Sequence, residues 1–263
     1  MTISRISASS YLNTAPLVWS FLYGRNHGKV ELILDNAPAR SAELLAGGRV
    51  DAALVPVIAC QYMDDVRLVP DVCVGALSRV RSVCLLTRGM DLSEVRSVSL
   101  DNSSRTSAAL TKIIFREFLG IEPQWRDAEP DIDTMLSSSD AALLIGDPAL
   151  AVSTVASSYN AFDLAELWHR HTGHGFVFAM WMTRSESFGI DFAAARDEGL
   201  EHLDDIIANY TPGIGLERGE LRDYLANNIS FSVDESMAKG MQLYFELAAK
   251  NSLIPKVRPI NFV

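Results

Sequence analysis

Short apolar runs alternate with helix-patterned segments from the first residues through Ile145, and this alternation restricts the fold more than any other feature. Val50–Val57 and Ala141–Ile145 are almost wholly apolar, the first ended by Pro56 and the second by Gly146-Asp147-Pro148. Strands alternating with helices imply parallel sheets, because a parallel crossover needs a helix-length connection. The first series begins with a strand at Arg5–Ala8 and a helix opened by Thr14-Ala15-Pro16. It continues with a strand at Val30–Leu34, a helix at Ala39–Ala46 closed by Gly47-Gly48, the strand at 50–57, and one or two strands within Val72–Thr87. A second series starts near residue 90. It holds strands at Val95–Leu100, Pro123–Trp125 and Ala141–Ile145, and helices at Ser103–Leu119 and Ile132–Leu136. A polar linker then leads to a strand at Phe176–Met182, and helices are expected over 191–210, 217–227 and 234–249. The whole reads as two α/β lobes around a crevice: residues 1–88 with 184–263, and residues 89–183.

Charge and punctuation narrow the function classes. A net charge of −10 and a pI near 5.0 argue against nucleic acid and anionic membranes as partners, while leaving room for a small anion held by local donors. The opening MTISRISASSYLNTAPLVW lacks a continuous apolar core before a cleavage site, and no run approaches the ~20 apolar residues of a membrane span. A cytoplasmic location is the expectation. Cys60, Cys73 and Cys84 lack CxxC spacing and read as reduced, buried residues. His169-x-His171 with His174 has a metal-like look, but no acidic or cysteine ligand completes a pattern, and a solvated loop is the favoured reading. Neither GxGxxG, GxxxxGK[ST] nor GxSxG occurs. Oligomeric state is not legible.

In open α/β sheets, ligands sit beyond the carboxyl ends of the strands. Three loops there are candidates. Ser9–Pro16 joins a strand to a helix start, where free N–H groups and the positive dipole end favour an anion; plain N-capping by Asn13 or Thr14 is the alternative. Asp101–Ser107 is polar at seven consecutive positions, more than one cap requires, and its hydroxyls suit a carboxylate. Arg105 either grips the ligand or lies on the helix surface. Asp147, after a buried strand and before Pro148, is either an N-cap or a group that orients a ligand hydroxyl.

Five blocks together resemble the chorismate dehydratases of the futalosine route to menaquinone. They are SSYLNTAPL (9–17), DAALVPV (51–57), DNSSRTSAAL (101–110), ALLIGDPAL (142–150) and LAELWHRHTGHGFVFAMW (164–181), in the family's order and spanning about two-thirds of the chain. His174-Gly175 departs from the Leu-Pro or similar pair expected there. The resemblance implies a type-II periplasmic-binding-protein fold reused for catalysis. It also implies loss of water from chorismate to give 3-[(1-carboxyvinyl)oxy]benzoate, without metal or organic cofactor. On that implication Ser103, Ser104, Thr106 and Ser107 cradle the ring carboxylate with Ser82 from a facing segment, and Asn13 acts at the reacting centre. Ser10 and Asp147 lie beside the substrate, and Tyr11, Pro56, Ile145 and Phe178 are dry walls. The base is either the substrate's own carboxylate or Asp147 or His174. Alternatives are a solute-binding protein for a small carboxylate, the related 1,4-dihydroxy-6-naphthoate synthase, or a ligand-sensing domain.

Overall fold

The computed structural model describes residues 3–152, 158–186 and 188–263. Four strands open one sheet: β1 (Ser4–Ser9), β2 (Val30–Asp35), β3 (Ala52–Pro56) and β4 (Arg67–Ala76). Five build a second: β5 (Val83–Thr87), β6 (Ser97–Asp101), β7 (Gln124–Ala128), β8 (Ala141–Ile145) and β9 (Asn160–Asp163). The chain then returns through β10 (Phe176–Thr183), which inserts between β3 and β4. The strand orders are β2-β1-β3-β10-β4 and β7-β6-β8-β5-β9. Each sheet pairs three parallel strands with antiparallel neighbours supplied by the crossing chain.

Ten α-helices cover these sheets among the described residues. They are α1 (Ala15–Leu22), α2 (Pro38–Ala46), α3 (Arg105–Ile113), α4 (Ile132–Ser138), α5 (Gly146–Val152), α6 (Leu164–Thr172), α7 (Phe192–Glu201), α8 (Leu203–Ile214), α9 (Arg218–Asp223) and α10 (Glu235–Lys250). None is long and apolar enough to cross a membrane. Strands covered on both faces, such as β3 and β8, are apolar throughout, because successive side chains point to opposite faces. In β8, Ala141, Leu143 and Ile145 join the main core, whereas Ala142 and Leu144 face a smaller cluster with Cys84, Leu86 and Met135.

β5 pairs with β8 and β9, and β10 pairs with β3 and β4. We therefore propose that the lobes meet within 77–82 and 173–175, rather than at 88–89 and 183–184. The two crossings run side by side, since Phe176 pairs with Ala76 and Val177 with Gly75. α10 lies against them at glycines: a Cβ on Gly75 would come within 2.2 Å of Met237 Cε, and one on Gly240 within 2.1 Å of the Gly175 carbonyl oxygen. The expected polar linker contains β9 and α6, so His169 and His171 sit on a helix and not in a solvated loop; His171 stacks on Phe118 with ring centroids 4.5 Å apart. Residues 153–157 of that linker lie outside the described residues. The helix expected over 191–210 is divided at His202, whose φ of −111° and ψ of 28° leave the helical range.

α1 and α7 approach so closely that a Cβ on Gly199 would lie 1.9 Å from the Pro16 carbonyl oxygen. Backbone has no rotamer with which to retreat. Gly199→Ala is expected to destabilise the fold by about 2–3 kcal/mol, as overpacked cores do. A denaturation midpoint equal to that of the parent would mean that the two helices can separate without loss.

Candidate functional site

The carboxyl ends of β1, β3, β6 and β8 converge on a cavity between the two sheets, enclosing about 60 Å³. Its walls are chiefly apolar, with Leu54 and Pro56 from β3, Val74 from β4, Val80 and Val83 around the first crossing, Ile145 from β8, and Phe178 and Ala179 from β10. Polar groups enter from two places, the loop after β1 and the start of α3.

The loop after β1 folds on its own hydroxyls. Thr14 Oγ1 donates to the Ser9 and Tyr11 carbonyls at 2.6 and 2.8 Å, which closes the turn and places Asn13 on the cavity wall. Asn13 therefore is not an N-cap: neither start of this helical stretch has a side-chain cap, and Pro16 supplies the usual proline in the first turn. Tyr11 stacks over Gly146, where a Cβ would meet the ring at 2.5 Å; the φ of +61° there also favours glycine. Burial lifts the Tyr11 hydroxyl to about 12, with a hydrogen bond to the Ser103 side chain pulling it back. With its polar end occupied, Tyr11 turns its ring to the cavity.

At the start of α3, Ser104 is the N-cap and accepts the Ser107 N–H at 3.3 Å. Thr106 Oγ1 accepts the Ile58 N–H at 3.3 Å, and its carbonyl takes the Tyr244 hydroxyl at 3.0 Å. Because both hydroxyls act as acceptors toward backbone, each keeps its own proton to donate. Ser107 lines the cavity beside them. Three hydroxyls and the positive end of α3 thus face a chiefly apolar cavity, an arrangement suited to a carboxylate joined to a carbon ring.

Four of the expected contact residues lie elsewhere. Ser10 donates to Asn36 Oδ1 at 2.7 Å on the outer side of its loop. Ser103 is tied to Asp101, with N–H and Oγ–H both reaching Asp101 Oδ1 at 2.9 and 2.6 Å. Asp101 is itself buried; burial raises its pKa, and its Oδ2 has no hydrogen-bond partner among the described residues. Ser82 is fully buried behind the lining and accepts the Tyr224 hydroxyl at 2.7 Å. Asp147 stands beside the cavity but outside its lining, with Oδ1 accepting the Leu12 N–H at 2.9 Å across the two lobes. Arg105 pairs with Glu43 at 3.2 Å, and both it and His174 are absent from the lining. Pro56, Ser104, Thr106, Ser107, Ile145, Tyr11, Asn13 and Phe178 do meet at the cavity. Leu54, Val74, Val80 and Val83 also line the cavity and were hidden in the sequence, because apolar strand residues read alike whether they face a core or a cavity.

Comparison with known proteins gives a family and a fold. Residues 4–250 match the profile of a family described as menaquinone biosynthesis. A chorismate dehydratase of Thermus thermophilus is 30% identical over 235 residues, covering 81% of this chain and 85% of that protein. Among solved structures, an Archaeoglobus fulgidus protein superposes with a TM-score of 0.76 at 15% identity, covering 95% and 98% of the two chains. The periplasmic aliphatic sulphonate binding protein of Escherichia coli gives 0.64 at 16% identity, with 99% and 93% covered. A Candida albicans protein with the generic periplasmic binding protein fold gives 0.68 at 12%, with 100% and 98% covered. The fold is thus α/β of the periplasmic-binding-protein type, with two lobes about a crevice.

Asp147 provides a test of the electrostatics beside the cavity. Burial lifts its carboxyl to about 6, with the Leu12 N–H pulling it back. Between about pH 4 and 6 the folded protein holds a proton that the unfolded chain has released, so stability from this residue falls as pH rises through that window. Asp147→Asn keeps an acceptor for Leu12 and removes the loss. The variant is expected to exceed the parent by about 1–2 kcal/mol at pH 7 and to match it near pH 4. Thermal unfolding at both pH values checks this; a less stable variant at pH 7 would mean that the charge itself is favourable.

Proposed function

The chain belongs to the chorismate dehydratase family of menaquinone biosynthesis, and we propose that it converts chorismate to 3-[(1-carboxyvinyl)oxy]benzoate and water. The observation that carries this reading is the division of labour in the cavity: hydroxyl donors at the start of α3, the Asn13 amide from the other lobe, and apolar walls between. Chorismate has matching parts, namely a ring carboxylate, an enolpyruvyl ether and an apolar diene.

Elimination breaks the C–H bond at the ether-bearing carbon and the C–O bond at its neighbour; the electron pair freed from C–H becomes the last ring double bond, and the hydroxyl leaves with the abstracted proton as water. Before the hydroxyl leaves, negative charge spreads through the adjacent double bond into the ring carboxylate. Donors fixed around that carboxylate stabilise this state more than the bound substrate. Ser104, Thr106 and Ser107 supply them, with the α3 dipole adding about 0.3–1 kcal/mol, or ~2 when partly buried. Ser103 supports the cradle from behind by fixing the turn at Asp101.

Asn13 has no usable basicity. Its task in this reading is to orient the enolpyruvyl group so that the substrate's side-chain carboxylate takes the proton. Asp147 and His174 are weaker candidates for the base, since neither lines the cavity and Asp147 already holds Leu12. A step that consumes chorismate belongs where biosynthesis proceeds, so we place the protein in the cytoplasm.

The resemblance in fold to a sulphonate-binding protein favours a second reading, a receptor for a small anion. Purified protein incubated with chorismate separates the two, with formation of the aromatic product followed by absorbance. Turnover supports the dehydratase; tight binding with no product supports the receptor. Asp147→Asn and His174→Gln are expected to retain near-parental turnover, whereas Asn13→Ala loses about 100-fold or more. An inactive Asp147→Asn that still binds chorismate would overturn the substrate-assisted step.

A further inference from the structure

We propose that Asp147 is a positioning residue of the crevice. By accepting the Leu12 N–H it sets where the Asn13 amide stands relative to the α3 hydroxyls. The kinetic consequence rests on the dehydratase reading; the clasp itself does not.

The groups that would act on one substrate belong to different sheets. Asn13 follows β1 of the first sheet, whereas Ser104, Thr106 and Ser107 follow β6 of the second. Neither sheet places both sets, so their separation depends on bonds that span the crevice. At the α3 end, Ile58 donates its N–H to Thr106 Oγ1 at 3.3 Å, and Ala39 donates to the Ser103 carbonyl at 3.2 Å. At the Asn13 end, the Leu12 N–H reaches Asp147 Oδ1 at 2.9 Å, over 135 residues of chain. Leu12 precedes Asn13, is fully buried, and opens a short 3-10 turn. The first N–H groups of a helical turn find no partner within it, and no side chain of this loop caps them. Asp147 therefore serves this turn from across the crevice, a task that a cap performs from within.

The residue before Asp147 makes a parallel contact. Gly146 seats the Tyr11 ring, and both residues line the cavity. Two consecutive residues after β8 thus hold Tyr11 and Leu12, the two that lead into Asn13. The Gly146 N–H is itself bonded to the Ser82 carbonyl at 2.7 Å, so the holding turn is fixed in its place. From the other side, the Tyr210 hydroxyl of α8 donates to the Ser10 carbonyl at 2.7 Å. An amide without basicity acts only through direction, and a displacement of about 1 Å can cost roughly 100-fold in rate. The clasp asks residue 147 for an acceptor, and neither a charge nor a base is needed for it.

Asp147→Leu approximates the size of the side chain and deletes the acceptor, whereas Asp147→Asn keeps one. With chorismate as substrate, kcat of Asp147→Leu is expected to fall about 10- to 100-fold with KM changed less than about threefold. Asp147→Asn is expected to stay within about threefold of the parent, the rescue that an acceptor role requires. In the Asn13→Ala background, Asp147→Leu is expected to cost little further, because Asp147 acts through Asn13. A merely stabilising bond would lower the unfolding midpoint and leave kcat of the folded protein parental. That result, additive losses, or an Asn variant as impaired as the Leu variant would overturn the proposal. Should the parent not turn over chorismate, the dehydratase reading falls by itself and the clasp is read by hydrogen exchange. The Leu12 amide is expected to exchange about 10-fold or more faster in Asp147→Leu than in the parent and Asp147→Asn, while the Ser107 amide, bonded within α3, is unchanged. Equal Leu12 rates in all three refute the clasp. If Asp147→Leu does not fold, the parent alone decides: a Leu12 amide that exchanges as fast as an exposed one has no partner at Asp147.

Discussion

The buried Asp163 carboxylate is the interaction on which the crevice is built. It ends β9, caps α6 through the Ala165 and Glu166 N–H groups at 3.0 and 3.1 Å, and accepts Val80 and Arg81 N–H at 3.0 and 2.6 Å. A carboxylate without partners at this depth would be costly, and burial does push its pKa up; four backbone donors oppose that push. The two bonds from Val80 and Arg81 hold the outgoing crossing in a shape it would not choose alone, with Arg81 at a φ of +63°. Ser82 comes next, and its carbonyl receives the Gly146 N–H at 2.7 Å. The two loops that frame the cavity are thereby joined behind it.

Lobe-to-lobe contacts follow a common pattern in which one polar group serves two structures. Asp147 at the start of α5 holds the loop that carries Asn13. Thr106 on α3 accepts from Ile58, just after β3. The Ser103 carbonyl accepts the Ala39 N–H at 3.2 Å, and Arg105 reaches Glu43 outside it. The first two are buried or half-buried and carry directional weight; the Arg105–Glu43 pair is about half exposed and contributes little, as surface ion pairs do. α10 completes the union by packing Met237 into space that only glycines at 75 and 175 leave open. That close approach explains why His174-Gly175 suits this chain: any side chain at 175 would strike Met237.

Much of this was legible in the chain. Strands apolar on both faces, such as Ala141–Ile145, announce sheets covered on both sides, and polar loops after β1 and β6 mark the functional end. Asn13, Ser104, Thr106 and Ser107, which that logic singles out, line the cavity. Ser10, Ser103 and Ser82 follow the same pattern, yet they do not line the cavity. A hydroxyl's loop position is local information, whereas the direction of its proton depends on a partner that is distant in sequence. The HxH pair was misread for a related reason, since α6 is stabilised by packing and by the Asp163 cap more than by its own polar composition.

The sequence by itself determined the α/β class, the crevice at the strand carboxyl ends, the hydroxyl-rich start of α3 and the family resemblance, because each follows from residue type and short-range spacing. Tertiary structure alone decided that β10 returns to the first sheet, that Asp147 clasps the opposite lobe, and that Tyr224 meets Ser82 across 142 residues of chain. Hydrogen bonds of that span leave no periodic trace: they need one donor and one acceptor at the right place, and only packing brings them together.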